Sequence, residues 1–132
     1  MSYVVDHFIR YIKIDTQSTR GSSTYPSTEK QLNLAKLLVQ ELKELGLADV
    51  NLDENGYVTA TLPANIDREG IPVVGFLAHM DTSPDLSGEN VKPQFIENYD
   101  GGIVILNAEK GITMSPKEFP ALKKYVGKTL IT

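Results

Sequence analysis

The strongest structural constraint in this sequence is an apolar run from Ile71 to Ala78 that ends on a histidine. The run, which reads IPVVGFLAH through His79, does not alternate between apolar and polar residues. Its brevity and its β-branched content favour a strand that is covered on both faces. We therefore predict a buried strand over residues 71–78.

The segments before this run predict two amphipathic helices. Apolar residues recur at helical spacing over residues 3–14, and Ser2 is positioned to cap that helix. Thr28 and Gln31 fit a capping box at the start of a second helix, and Gly46 is expected just past its end. The second helix carries an apolar stripe, formed by Leu34, Leu38, Leu42 and Leu45.

The remaining elements complete an α/β pattern. Two strand-like segments flank Asn55-Gly56, a dipeptide that predicts a β-hairpin. The stretch GGIVILN predicts a further strand, Ser115-Pro116 predicts the start of a short helix, and KTLIT predicts a final strand. Together these elements predict an α/β fold with a mixed sheet flanked by helices.

Composition narrows the class of protein. The chain has 132 residues, of which 41% are hydrophobic and 23% are charged, and its net charge is −4. That length suits one globular domain, and scattered basic residues argue against a nucleic-acid partner. There is no cysteine, which excludes a thiolate metal site, and no apolar run approaches the roughly 20 residues of a membrane helix. We expect a soluble, cytoplasmic protein.

The residues after the apolar run offer a candidate metal ligand. In a strand, residues i and i+2 point to the same side, so His79 and Asp81 are predicted neighbours. A carboxylate that accepts the second ring N–H of a metal-bound histidine orients that ligand. The pair by itself also suits a structural histidine, and the two interpretations remain open. His7, on a polar face of the first helix, is expected to be structural.

Other polar residues predict turns. Asp85 follows a proline, and Asp100 precedes Gly101-Gly102, so each is expected to form a turn. The chain has neither a glycine-rich phosphate loop nor a G-x-S-x-G motif. A catalytic metal site typically needs three protein ligands, and one histidine with one aspartate does not complete such a site.

Three stretches carry a resemblance to a known family. FIRYIKIDTQS, FLAHMDTSPDLSGENVKPQFIENYDGG and MSPKEFPALKKYVGKTLIT resemble the N-terminal part of tripeptide aminopeptidases. These enzymes belong to the zinc peptidase family that includes glutamate carboxypeptidase and aminoacylase. His-x-Asp alone identifies the broad family, whereas HMDTSPD, ENYDGG and SPKEFP point to the tripeptide aminopeptidase branch. The resemblance covers essentially the whole chain.

The resemblance implies a role for each residue of the pair. His79 would bind one zinc ion of a two-zinc site, and Asp81 would be the catalytic carboxylate that orients and polarises it. Residues 1–132 would be the N-terminal portion of a zinc-exopeptidase-like catalytic domain. The bridging aspartate, the general-base glutamate and a lid or dimerisation domain would come later. The intact enzyme would remove the N-terminal residue of a tripeptide, and the isolated chain would be inactive.

Alternative functions remain open at this point. Within the same family, the substrate could be that of a dipeptidase, a carboxypeptidase or an N-acyl amino acid deacylase. In another class, the chain would be a non-catalytic α/β binding module. The apolar strand KTLIT would lack at least one pairing partner, which predicts a homo-oligomer formed through an exposed sheet edge.

Overall fold

The computed structural model describes residues 2–132 and divides into two compact units, of which the first ends at Val91 and the second runs from Lys92 to Thr132. Helices and strands occur together, which confirms the α/β class. The first unit contains α1 (Tyr3–Tyr11), α2 (Gln31–Glu44), β1 (Ala48–Leu52) and β2 (Val58–Thr61). The second contains β3 (Phe95–Ile96), β4 (Val104–Asn107), β5 (Ile112–Met114), a 3₁₀ helix (Pro120–Tyr125) and β6 (Leu130–Ile131).

The strands form three separate ladders. The pairs are β1–β2, β3–β6 and β4–β5, and each is antiparallel. Within residues 2–132, the parallel pairing is limited to one isolated bridge between Gln17 and Thr82. Instead of the single mixed sheet expected from the sequence, the described residues form three two-stranded ladders. None of the helices in this part of the chain has the length and apolarity needed to cross a membrane.

The first helix is shorter than its apolar periodicity predicts. Its last helical residue is Tyr11, and the amide of Ile14 then donates to the carbonyl of Tyr11 over 3.0 Å. This tight turn takes the chain out of the helix before residue 14. Ser2 occupies the N-cap position as predicted, but its side chain makes no capping hydrogen bond.

The predicted capping box of α2 does not form. Helix α2 begins without a side-chain capping hydrogen bond, and the Thr28 hydroxyl donates to the carbonyl of Gln17 over 2.7 Å. The Gln31 side-chain amide donates to that same hydroxyl over 3.1 Å. The hydroxyl oxygen therefore accepts the side chain of Gln31, while the Gln31 backbone amide donates to the Thr28 carbonyl instead.

The predicted end of α2 at Gly46 is confirmed. Gly46 has a φ of +77°, and its amide donates to the carbonyl of Lys43 over 2.9 Å. The amide of Leu47 donates to the carbonyl of Leu42 over 3.1 Å, which completes a Schellman motif. A residue with a Cβ would be strained at this φ, whereas glycine adopts it readily.

The predicted hairpin at Asn55-Gly56 is also confirmed. β1 and β2 pair in register from Leu52 opposite Val58, and the Asp53 carboxylate accepts the amides of Asn55 and Tyr57. Helix α2 packs against both strands. Leu34 and Ala35 supply the buried apolar side chains of this unit.

The predicted buried strand over residues 71–78 is wrong. Residues 62–79, here called the open segment, form no helix or strand, and every one of them is exposed. Val73, Phe76 and Leu77 are 99%, 95% and 97% exposed. A central strand needs hydrogen-bonding neighbours and a layer on each face, and residues 2–132 supply neither to this segment.

The second unit has a small core of its own. Tyr99, Val104 and Leu122 are buried together. The strands predicted from GGIVILN and KTLIT are confirmed as β4 and β6. The helix predicted at Ser115 is displaced, because the Ser115 carbonyl accepts the Phe119 amide in a turn and the 3₁₀ helix begins at Pro120.

Candidate functional site

The structure brings His79 and Asp81 together. The His79 Nδ1 atom lies 2.9 Å from the backbone oxygen of Asp81 and 3.0 Å from its carboxylate Oδ1. Because both neighbours are hydrogen-bond acceptors, Nδ1 is the nitrogen that carries the proton. A neutral imidazole in this tautomer presents the lone pair of Nε2, and the side chain is 85% exposed. This arrangement leaves one nitrogen available as a metal ligand.

The chain is attached to its unit directly after this pair. The Thr82 amide donates to the Thr16 carbonyl over 3.1 Å, and the Ser18 amide donates to the Thr82 carbonyl over 3.0 Å. The Ser18 hydroxyl donates to the same Thr82 oxygen over 2.8 Å. These bonds make Thr82 the fixed point nearest to Asp81.

Residues Asp15 to Ser18, here called the anchor segment, also hold the residues that follow Thr82. The Gln17 side-chain amide donates to the carbonyls of Pro84 and Leu86, over 3.2 and 2.8 Å. Thr16 is buried within the segment. The sequence stretch had no helical or strand periodicity, so periodicity alone could not reveal these contacts.

Charges stabilise the anchor segment. The Lys30 Nζ atom donates to the Asp15 carboxylate over 2.7 Å and to the Gln17 side-chain oxygen over 3.3 Å. The backbone amide of Gln17 donates to Asp15 Oδ1 over 2.9 Å. The hydrogen bond from Lys30, followed by the one from the Gln17 amide, lowers the pKa of Asp15 below its usual value. Asp15 is therefore held in its ionised form.

The other aspartates singled out from the sequence form turns. Asp85 accepts the Ser83 hydroxyl over 2.8 Å and pairs with Arg20 over 2.8 Å. In the second unit, Asp100 accepts the amide of Gly102 over 2.8 Å. Both predicted turns are confirmed. Across residues 2–132, the structure contains no group of three or more His, Cys, Asp or Glu residues that could hold a metal.

A second polar cluster, which the sequence analysis missed, surrounds Glu41. This carboxylate is buried in α2, pairs with Arg10 of α1 over 2.7 Å and accepts the Tyr11 hydroxyl. His7 also faces it, with 3.7 Å between His7 Nε2 and Glu41 Oε2. Burial, then the hydrogen bond to Glu41, raises the pKa of Tyr11 to about 12. Glu41 follows Leu34 by seven residues, and this helical spacing signals that it shares the buried face.

Comparisons with known proteins identify relatives over the whole chain. No family model matches the sequence. Peptidase T of Clostridium acetobutylicum is 59% identical, and Peptidase T of Halothermothrix orenii is 62% identical, each over 132 residues and 100% of this chain. Peptidase T of Caldanaerobacter subterraneus is 61% identical over the same span. The chain spans 32% of the length of each of these relatives. Along its whole length the chain is therefore similar to Peptidase T, and it spans about a third of the length of these relatives.

Proposed function

We propose that this chain belongs to a zinc-dependent aminopeptidase that removes the N-terminal residue from tripeptides. The observation that carries the proposal is the 59–62% identity to Peptidase T across all 132 residues. Identity at this level supports the same reaction class, a peptide hydrolysis. The tripeptide substrate, the zinc ions and a cytoplasmic location are the finer parts of the proposal.

The donor chemistry of His79 fits zinc. Its Nδ1 is occupied by Asp81, its Nε2 is free, and the ring is exposed to an incoming ion. An imidazole held by a carboxylate is a common zinc ligand with its orienting partner. We assign His79 as a zinc ligand and Asp81 as the catalytic carboxylate that orients the ring and increases its basicity. When bound, zinc supplies an activated water and polarises the scissile carbonyl.

The remaining ligands belong, in this proposal, to another part of the protein. Residues 1–132 would be the N-terminal portion of the catalytic domain, which agrees with the 32% of the relatives' length that they match. The lack of a three-ligand group among residues 2–132 is compatible with this division. A lid or dimerisation domain, two zinc ions and self-association through a sheet edge stay predictions.

The proposal is tested by the substrate range of the full-length protein that carries this sequence. With zinc present, we expect it to cleave a free tripeptide into an amino acid and a dipeptide. We expect little turnover of the same tripeptide with a blocked N-terminus, of dipeptides or of N-acyl amino acids. Preferential cleavage of the dipeptide, of the C-terminal residue or of the acyl group would instead support another member of the zinc peptidase family.

Variants of the pair test the assigned roles. We expect His79→Ala to abolish activity and to lower the zinc content. Asp81→Asn should leave the fold near normal and reduce activity by about 10–100-fold or more, because an amide carries no charge and orients the ring less well. Unchanged kinetics in both variants would refute the assignment. The 132-residue chain by itself should show no turnover with zinc and a tripeptide.

A further inference from the structure

The chain around the His79–Asp81 pair is attached on one side. From residue 62 to residue 81, no backbone-to-backbone hydrogen bond joins the chain to another element within the described residues. The hydrogen bonds in that stretch join His79 to Asp81 and hold neither residue to another element. The attachment begins at Thr82, one residue after the carboxylate.

Gln17 is the side chain most committed to this attachment. Its side-chain nitrogen donates to two carbonyls of the 82–86 stretch, and its side-chain oxygen accepts a hydrogen bond from the Lys30 ammonium. Its backbone oxygen accepts the Thr28 hydroxyl over 2.7 Å. These bonds involve both ends of the side-chain amide, so Gln17 is held in one orientation. The carbonyls it binds lie 67 and 69 positions later in the chain.

We propose that Gln17 is a positioning residue for the His79–Asp81 pair. The inference rests on the proposed function, because the orientation of His79 matters only if His79 binds zinc. By holding the carbonyls of Pro84 and Leu86, Gln17 gives the chain after Asp81 a single course. Asp81 then keeps its carboxylate against His79 Nδ1. Without the two donors, the 82–86 stretch gains freedom, and Asp81 orients the ring less often.

The test uses zinc affinity in the full-length protein, measured by competition with a chromophoric chelator. Gln17→Glu keeps the length of the side chain and its oxygens but removes both donors, and Gln17→Leu removes every polar atom. We expect each variant to weaken zinc binding at the His79 site by on the order of tenfold, as substitutions of residues that orient a metal ligand typically do. The zinc of this site is the one that is lost in His79→Ala. We expect kcat to fall with it while KM stays within about twofold.

Gln40→Leu is the matched control. Gln40 is an exposed glutamine of α2 whose side chain donates to Glu44 over 2.8 Å and makes no hydrogen bond to the 82–86 stretch. This variant should keep the zinc affinity and kcat of the parent protein. Circular dichroism and the thermal unfolding midpoint of each variant separate a local effect from a loss of fold.

The outcomes distinguish the inference from the function beneath it. If His79→Ala loses zinc and both Gln17 variants retain full affinity and kcat, the positioning role is refuted and the proposed function stands. If the Gln17 variants lower only the unfolding midpoint, Gln17 is structural and the inference is again refuted. If His79→Ala keeps its zinc and its activity, both the inference and the proposed function fail.

Discussion

Two neighbouring regions of the first unit both carry strong sequence patterns, but only one of them forms the structure that its pattern predicts. The packed region, residues 31–61, contains α2 and the β1–β2 hairpin, and its predicted helix end and turn are confirmed. The open segment, residues 62–79, contains the most apolar run in the chain and forms no regular structure. A helix and a hairpin satisfy their hydrogen bonds locally, whereas a central strand depends on partners elsewhere.

The apolar content of the open segment measures what those partners would contribute. Burying one Val, Leu or Phe side chain contributes about 1.5–3 kcal/mol relative to leaving it in water. Val73, Phe76 and Leu77 forgo nearly all of this in the present structure. A layer that covered these three side chains would therefore stabilise this part of the chain by several kcal/mol.

The largest expected effect compares two leucines. Leu34 is 7% exposed in the packed region and Leu77 is 97% exposed in the open segment. We expect Leu34→Ala to lower the free energy of unfolding of this chain by about 2–5 kcal/mol, because it leaves a cavity. Leu77→Ala should change it by less than about 0.5 kcal/mol. Urea unfolding measures both, and equal losses would show that the open segment is covered in solution.

Alkaline pH should weaken the contact between Tyr11 of α1 and Glu41 of α2. The folded pKa of Tyr11 is about 12, above its ordinary value of 10.0, so the stabilisation is complete below pH 10 and is lost as the pH rises through 12. A two-unit shift is at most about 2.7 kcal/mol, and partial exposure reduces our expectation to about 1–2 kcal/mol. Unfolding measured across this range should show the loss.

Two variants identify the group that is responsible for this loss of stability at alkaline pH. Tyr11→Phe should remove the loss between pH 10 and 12, and Glu41→Gln should bring the Tyr11 pKa closer to 10, as followed by tyrosinate absorbance. If the alkaline loss persists in Tyr11→Phe, another group is responsible for it.

A smaller effect compares two glycines. A Cβ on Gly88 would lie 2.5 Å from Asp15 Oδ1, whereas a Cβ on Gly75 in the open segment would meet nothing within 4 Å. We expect Gly88→Ala to cost about 1 kcal/mol, because Asp15 Oδ1 must move away from the Gln17 backbone amide or the backbone must shift. Gly75→Ala should be neutral to within about 0.5 kcal/mol. Identical unfolding curves for the two variants would contradict the close approach of Gly88 to Asp15.

The smallest expected effect is an acid transition in the anchor segment. The pKa of Asp15 is lowered, so its contribution is present above pH 3.8 and is lost as the pH falls through the folded pKa. The amide resonance of Thr82 should report this loss in an NMR titration, and Asp15→Asn should remove that dependence. Resonances of the open segment should not follow Asp15. A Thr82 titration that persists in Asp15→Asn would assign the transition to another group.

The candidate site was half predictable. The proximity of His79 and Asp81 follows from their spacing, because residues two apart lie on one side of an extended chain. The anchor segment was not predictable by the same reasoning, since Gln17 and Ser18 contact residues 64 to 69 positions later. No periodicity encodes a contact of that kind.

By itself, the sequence determined the features whose energies are local. Gly46 ends α2 because only glycine readily adopts its φ of +77°, and Asn55-Gly56 closes a hairpin for a similar backbone reason. The tertiary structure decided the rest. It buried Glu41 against α1, joined the Thr28 hydroxyl to the carbonyl of Gln17, and left residues 71–78 uncovered. Burial and pairing depend on which distant surfaces are present, and that information does not reside in the segment that is buried or exposed.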